Sequence, residues 1–186
     1  MTTPTTPPTA WLVRHAATSW TGVRWCGRAD PPLTPAGRLA ADALARQLAT
    51  EIAPGTLVLT SPAARARQTA EPIAAALGSQ PLVLDELIEV DVGRAEGLTW
   101  MGLSVREPEL ASAIASGAAV DWPGGESATQ VSDRAAAAAA RIAEAALGRP
   151  VVVVSHGAFL HALAGILGGP ADRVPLDAAG VLRIGS

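Results

Sequence analysis

Short apolar runs alternate along the chain with longer stretches whose apolar positions recur every three or four residues. Ala10 to Val13 is one such run and ends in Arg14-His15, as expected of a buried strand that delivers polar residues at its carboxyl end. Residues 16 to 33 read as a long loop, punctuated by Gly22, Gly27, Asp30, Pro31 and Pro32. Thr34-Pro35 then gives a cap followed by proline at the first helical position, predicting a helix to about Thr50 with Leu39, Ala43, Leu44 and Leu48 near one face. Leu57 to Leu59 is a second strand. Ser61-Pro62 repeats the cap-proline signal before a helix ending near Gly78, and Leu82 to Leu84 is a third strand. Weaker helical segments lie between Thr99 and Gly117, followed by a Trp-Pro-Gly-Gly turn. Ser127 opens the longest helix, which runs to Leu147 and is stopped by Gly148 and Pro150. Val151 to Val154 is the strongest strand, Gly157 to Leu167 a helix, and Val181 to Ile184 the last strand.

Strands alternating with helices predict a three-layer α/β/α sandwich with a largely parallel central sheet. Residues 1–9, alternating Thr and Pro, read as a flexible arm outside a single domain over 10–186. In such sheets ligands bind beyond the carboxyl ends of the strands. Arg14-His15, Ser61 to Arg65 and Ser155-His156 all fall at those ends.

Composition narrows the function classes. A formal charge of -3 offers no general basic field, so no nucleic-acid partner is expected and any anion must be held by local charges. Cys26 is the single cysteine, which excludes an intrachain disulfide scaffold and favours a reducing, cytoplasmic setting. No run approaches a membrane span, because Arg134 and Arg141 flank the alanine-rich stretch between them. With one Phe, no Tyr and five Trp, large apolar anchors are few.

Two strand-end histidines and two strand-associated arginines suit a small dianion such as phosphate. His156-Gly157 opens a helix whose first amides are available to an anion. The segment Leu12-Val13-Arg14-His15-Ala16-Ala17-Thr18 resembles the signature of the histidine phosphatase family, the phosphoglycerate mutase-like proteins. Asp30 to Gly37, Ser61 to Ala70 with Arg65-Ala66-Arg67-Gln68-Thr69-Ala70, Leu87 to Gly93 with Glu96-Gly97, Pro123 to Ser127, and Val153 to Gly157 resemble further family segments in family order. The resemblance implies a phosphoglycerate mutase-like fold and a phosphohistidine on His15. It implies phosphate contacts from Arg14, Arg65 and His156, proton donation by Glu89, and neither metal nor other cofactor. A neutral imidazole is a competent nucleophile for phosphorus, and neighbouring cations help keep it neutral. Guanidinium groups match two phosphate oxygens at once.

Glu89 is chosen by family position, with Asp91 and Glu96 as competing carboxylates. Thr18, Thr21 and Gly157 complete the expected substrate contacts, although many family members have Asn where Thr21 stands. Arg67 is expected to face solvent, Glu126 to support the following helix start, and Ala40, where relatives often have Gln, to matter only for packing. His156 and His161 lie about 140° apart on a helix, which argues against a shared metal. Cys26 lacks the Cys-x5-Arg loop of a cysteine phosphatase. Trp20, Trp25, Trp100 and Trp122 fall near the pocket mouth, where sealing an alanine-rich core is the favoured role over stacking on substrate. The expected activity is hydrolysis of a small phosphorylated metabolite. Only residues 99 to 123 are available as a lid, which disfavours mutase chemistry; a catalytically silent phospho-ligand binding module is the other alternative.

Overall fold

The structure, a computed structural model, describes residues 9–170 and 176–185. Strands β1 (Ala10–Arg14), β2 (Leu57–Thr60), β3 (Pro81–Val83), β4 (Val151–Ser155) and β5 (Val181–Ile184) form one sheet in the order β3-β2-β4-β1-β5. The first four are parallel, and β5 pairs antiparallel with β1. Helices α1 (Pro35–Glu51) and α2 (Ala64–Ala76) cover one face. Helices α5 (Ala128–Ala146) and α6 (Gly157–Ile166) cover the other. Between β3 and α5 the chain forms two short 3-10 turns, then α3 (Trp100–Arg106) and α4 (Pro108–Ala115). This is the α/β sandwich with a mostly parallel sheet that the alternation predicts.

The strands are apolar on both faces because helices cover both. In β4, Val151 and Val153 join the core under α5 and α6, while Val152 and Val154 join the core under α1 and α2. All four are fully buried, at about 1.5–3 kcal/mol of transfer free energy per side chain of this size. Alanines such as Ala135 and Ala138 on α5 allow that helix to lie close against its neighbours.

Local chemistry accounts for the start of α1 and both ends of α5. Thr34 Oγ1 accepts from the Gly37 N–H at 2.9 Å ahead of Pro35. Ser127 forms a full capping box with Gln130, and α5 closes on left-handed Leu147 followed by Gly148.

Several expectations need correction. Helix α2 starts at Ala64, not directly after Ser61-Pro62. The Ser61 hydroxyl accepts from Ala63 N–H and faces the site below, and the helix start is capped from outside, by Asp30, whose carboxylate accepts from the Ala64 N–H at 2.7 Å. On α1 the buried face is Gly37, Ala41, Leu44, Ala45 and Leu48; Leu39, Ala40 and Ala43 point outward. In an alanine-rich helix the apolar stripe is poorly marked, and contact with α2 decides it. Thr9, assigned to the arm, belongs to the sheet margin, since its carbonyl accepts from Val151 N–H at 3.0 Å. The rest of that arm, residues 1–8, lies outside the described residues.

Candidate active site

The strand order reverses direction between β1 and β4, which run side by side while their following segments leave toward opposite faces. This is the crevice where α/β sheets hold ligands. In register, Arg14 lies opposite Ser155, the His15 N–H donates to the Ser155 carbonyl at 2.9 Å, and the Ser61 N–H donates to the Val154 carbonyl at 3.0 Å. Three strand ends therefore bring Arg14-His15, Ser61 and Ser155-His156 to one rim.

His15 is buried, and its Nδ1 lies 2.8 Å from the Ala16 carbonyl. A carbonyl can only accept, so Nδ1 carries the proton and Nε2 keeps its lone pair. Burial, reinforced by the charges of Arg65 and Arg14, lowers the His15 pKa to about 4 against the opposing pull of the Ala16 bond. The ring is neutral at neutral pH. The His156 ring meets it edge-on, 5.2 Å between centroids. Burial first, then Arg65, holds the His156 pKa well below the ordinary histidine value. Its Nε2 is 2.8 Å from Ser61 Oγ, and its buried Nδ1 has no protein partner.

Two buried guanidinium nitrogens share that condition, Arg14 Nε and Arg65 Nε. The remaining guanidinium contacts fix their aim. Arg14 Nη1 donates to the Leu176 carbonyl at 2.7 Å. Arg65, 1% exposed, donates through Nη1 to the Ala29 carbonyl at 2.7 Å and Asp30 Oδ1 at 3.2 Å, and through Nη2 to the Gly27 carbonyl at 3.0 Å. An arginine so enclosed is ordered before any ligand arrives. A Cβ at Gly157 would lie 3.3 Å from Arg14 Nε, so glycine leaves the guanidinium room to lie close against the start of α6.

Glu89 is the carboxylate that reaches this rim. Oε1 accepts from the Val90 N–H at 2.8 Å and the Phe159 N–H at 3.0 Å, while Oε2 has a longer contact, 3.4 Å, from Ala158 N–H. Two amides at the start of α6 that the sequence assigns to an incoming anion are thus engaged by Glu89. Burial raises the Glu89 pKa, outweighing these bonds and the Arg65 charge. Its competitors are occupied elsewhere. Glu96 accepts from the amides of Gly27, Arg28 and Ala29, and Asp91 closes its own turn on the Gly93 N–H.

Other residues shape the surroundings. Glu126 does more than support a helix start: it pairs with Arg134 at 2.8 Å and with Arg28 at 3.3 Å. Arg134 in turn donates to the carbonyls of Glu86 and Ile88 and lies over the Phe159 ring, so it braces the segment that carries Glu89. Sequence reading missed Arg134 and Asp30 as parts of the site; it placed Ser61 at the rim by its strand-end position and assigned it no contact there.

A cavity of about 1120 Å³ opens above the rim, lined by Arg14, His15, Thr18, Thr21, Glu89 and Gly157 at its polar end. Arg65 and His156 lie buried beneath rather than among its lining residues. Thr18 and Thr21 hold one another, the Thr18 N–H donating to Thr21 Oγ1 at 2.9 Å. The mouth carries Trp20, Trp25, Trp100 and Trp122. Trp25 and Trp122 also pack on Leu103 and Ala111 of α3 and α4, so sealing and lining coincide. Cys26 is no activated nucleophile, since burial raises its pKa and Sγ donates to the Ala29 carbonyl. His161 is half-buried and lines the cavity, while Arg67 is exposed.

The family model described as histidine phosphatase superfamily (branch 1) matches residues 10–184. Two proteins of Arabidopsis thaliana are each 36% identical over 156 residues, 82% of this chain: a phosphoglycerate mutase-like protein 4 and a metal-independent phosphoserine phosphatase. The chain spans 67% and 65% of their lengths, and 42% of the length of a mycobacterial relative. Among solved structures, a mycobacterial glucosyl-3-phosphoglycerate phosphatase superposes with a TM-score of 0.81 at 28% identity, over 95% of this chain and 89% of that one.

Proposed function

Since the chain belongs to the histidine phosphatase superfamily, branch 1, we propose that it is a metal-independent phosphomonoester hydrolase working through a phosphohistidine on His15. One observation carries this reading: three buried side-chain nitrogens without protein partners, Arg14 Nε, Arg65 Nε and His156 Nδ1, belong to groups clustered around a desolvated, neutral imidazole. Buried polar groups are normally satisfied, and a phosphoryl group brings the oxygens that would satisfy them.

In the first step His15 Nε2 attacks phosphorus, the N–P bond forms and the ester P–O bond breaks. The Ala16 carbonyl holds the Nδ1 proton and favours the charge that develops on the ring. Arg14 and Arg65 neutralise the equatorial oxygens, the role that metal ions fill in many phosphoryl-transfer enzymes. In this reading the Ser61 hydroxyl, which accepts from the Ala63 amide, gives its own hydrogen to His156 Nε2. His156 then keeps its proton on Nδ1 for the phosphate. Glu89, its Oε1 taken by two amides, gives the proton on Oε2 to the departing alkoxide. In the second step water attacks phosphorus, its proton returns to Glu89, the N–P bond breaks, and inorganic phosphate leaves.

The reading is tested by phosphate release from p-nitrophenyl phosphate with chelator present, using His15→Ala as control. Turnover in chelator that is abolished in the variant is expected; activity surviving in His15→Ala would overturn the mechanism. Mutase chemistry, suggested by the mutase-like relative, would instead isomerise phosphoglycerate without releasing phosphate.

A further inference from the structure

The phosphate end accounts for only part of the cavity. At about 1120 Å³ the cavity lies just above the ~300–1,000 Å³ of sites that take drug-sized ligands, and a phosphate with a three-carbon chain would leave most of it unfilled. The remainder is mostly apolar, with small and aliphatic side chains around a set of tryptophans. Four of the chain's five tryptophans line it, in a sequence with one Phe and no Tyr. Trp25 sits between Trp100 and Trp122, with centroid distances of 6.0 and 5.4 Å and interplanar angles of 40° and 60°, so the three form one tilted cluster. Trp25 and Trp122 are partly buried in the small core below, whereas Trp100, the first residue of α3, is 48% exposed. A large aromatic side chain left half-exposed at a cavity mouth serves packing poorly and a flat partner well.

Charge points the same way. Beyond the groups at the polar end, the charged or titratable side chains that line the cavity among the described residues are Cys26, Arg24, His161 and Asp177. Arg24 is the one permanent cation among them, with Nη1 tied to the Gly97 carbonyl at 2.7 Å, and the Asp177 carboxylate lining the same cavity sets an opposing charge against an acidic leaving group. A phosphorylated carboxylic acid thus finds a single arginine, Arg24, opposed by Asp177, where four tryptophans offer flat apolar faces.

We infer that this wall is a leaving-group subsite, and that the preferred substrates are phosphomonoesters of uncharged aromatic or bulky apolar alcohols rather than small phosphorylated acids. The inference rests on the hydrolase reading for turnover, but not for binding. Stacking on Trp100 lowers KM without altering the attack on phosphorus.

The test uses primary alkyl esters, so that leaving-group basicity varies little: 2-(1-naphthyl)ethyl phosphate against glycerol phosphate, phosphoserine and 3-phosphoglycerate. The naphthylethyl ester is expected to exceed the others in kcat/KM by about tenfold or more, the scale of one aromatic contact. Trp100→Ala should cut that ratio by about tenfold, mainly through KM, and Trp100→Phe should restore part of it. Binding is read separately, by quenching of tryptophan fluorescence. Turnover of all esters with no preference for the naphthyl group, or a ratio unmoved in Trp100→Ala, overturns the subsite and leaves the hydrolase intact. Quenching that Trp100→Ala weakens, without turnover of any ester, upholds the subsite and overturns the hydrolase.

Discussion

Acidification should destabilise this fold through His15, by an amount that substitution of that residue removes. His15 is 6% exposed, and its pKa falls from 6.5 to about 4, chiefly by burial. The unfolded chain takes up this proton as pH drops through the ordinary histidine value, while the folded chain resists until about pH 4. The folded pKa is the lower, so no stability is lost above about pH 7 and the loss grows as pH falls between the two values. The gap of 6.5 minus 4, at about 1.36 kcal/mol per unit, is worth about 3 kcal/mol. That is a large share of the ~5–15 kcal/mol that holds an ordinary domain. Carboxylates add their own acid dependence, so the comparison is between the wild type and His15→Gln. In urea unfolding followed by tryptophan fluorescence, the wild type should lose about 2–3 kcal/mol more than the variant between roughly pH 7.5 and 4.5. Parallel losses in the two proteins would refute the argument, because His15 would then titrate as a solvated imidazole with no special neutrality to offer phosphorus.

Other predictions follow from single contacts. Glu89→Gln should lower kcat on alkyl phosphates by about 10²–10⁴, with a much smaller effect on p-nitrophenyl phosphate, whose leaving group needs no proton. Steady-state kinetics on the two ester classes checks this. In the wild type the raised Glu89 pKa keeps the donor protonated to higher pH than an ordinary glutamate, and rate is lost as pH rises through it. Asp30→Ala removes the external cap of α2 and the Arg65 partner. About 1 kcal/mol of stability should go, seen in denaturant melts, together with a rise in KM for every ester. Ile142→Ala, in the wholly buried face of α5, should cost about 2–5 kcal/mol in the same melts while kcat per folded molecule stays unchanged.

The sheet and the rim were legible in the sequence because parallel strands buried on both faces are continuous apolar runs, and the polar residues that end them must emerge together. Arg14-His15 and Ser155-His156 illustrate this, since their pairing in register follows from the adjacency of β1 and β4. Thr34-Pro35 was legible because its cap is local. Ser61-Pro62 misled because the cap of α2 comes from Asp30, thirty-four residues before Ala64 in the chain, a contact no local pattern announces. Arg134 was hidden for a similar reason: beside an alanine run it reads as a solvated flank, and only the approach of the Glu89 segment gives its guanidinium three carbonyls and an aromatic ring. Glu89 could be separated from Asp91 and Glu96 only in three dimensions, because of the three it alone lines the cavity beside His15.

The central claim is that His15 carries the phosphoryl group between ester and water. Rapid acid-free quenching during turnover of a ³²P-labelled ester, followed by peptide mapping, reads it directly. Acid-labile, alkali-stable label on the peptide containing His15, absent in His15→Ala, is the expected result. Turnover with no label on any residue, or label on a serine or on His156 instead, would contradict the account.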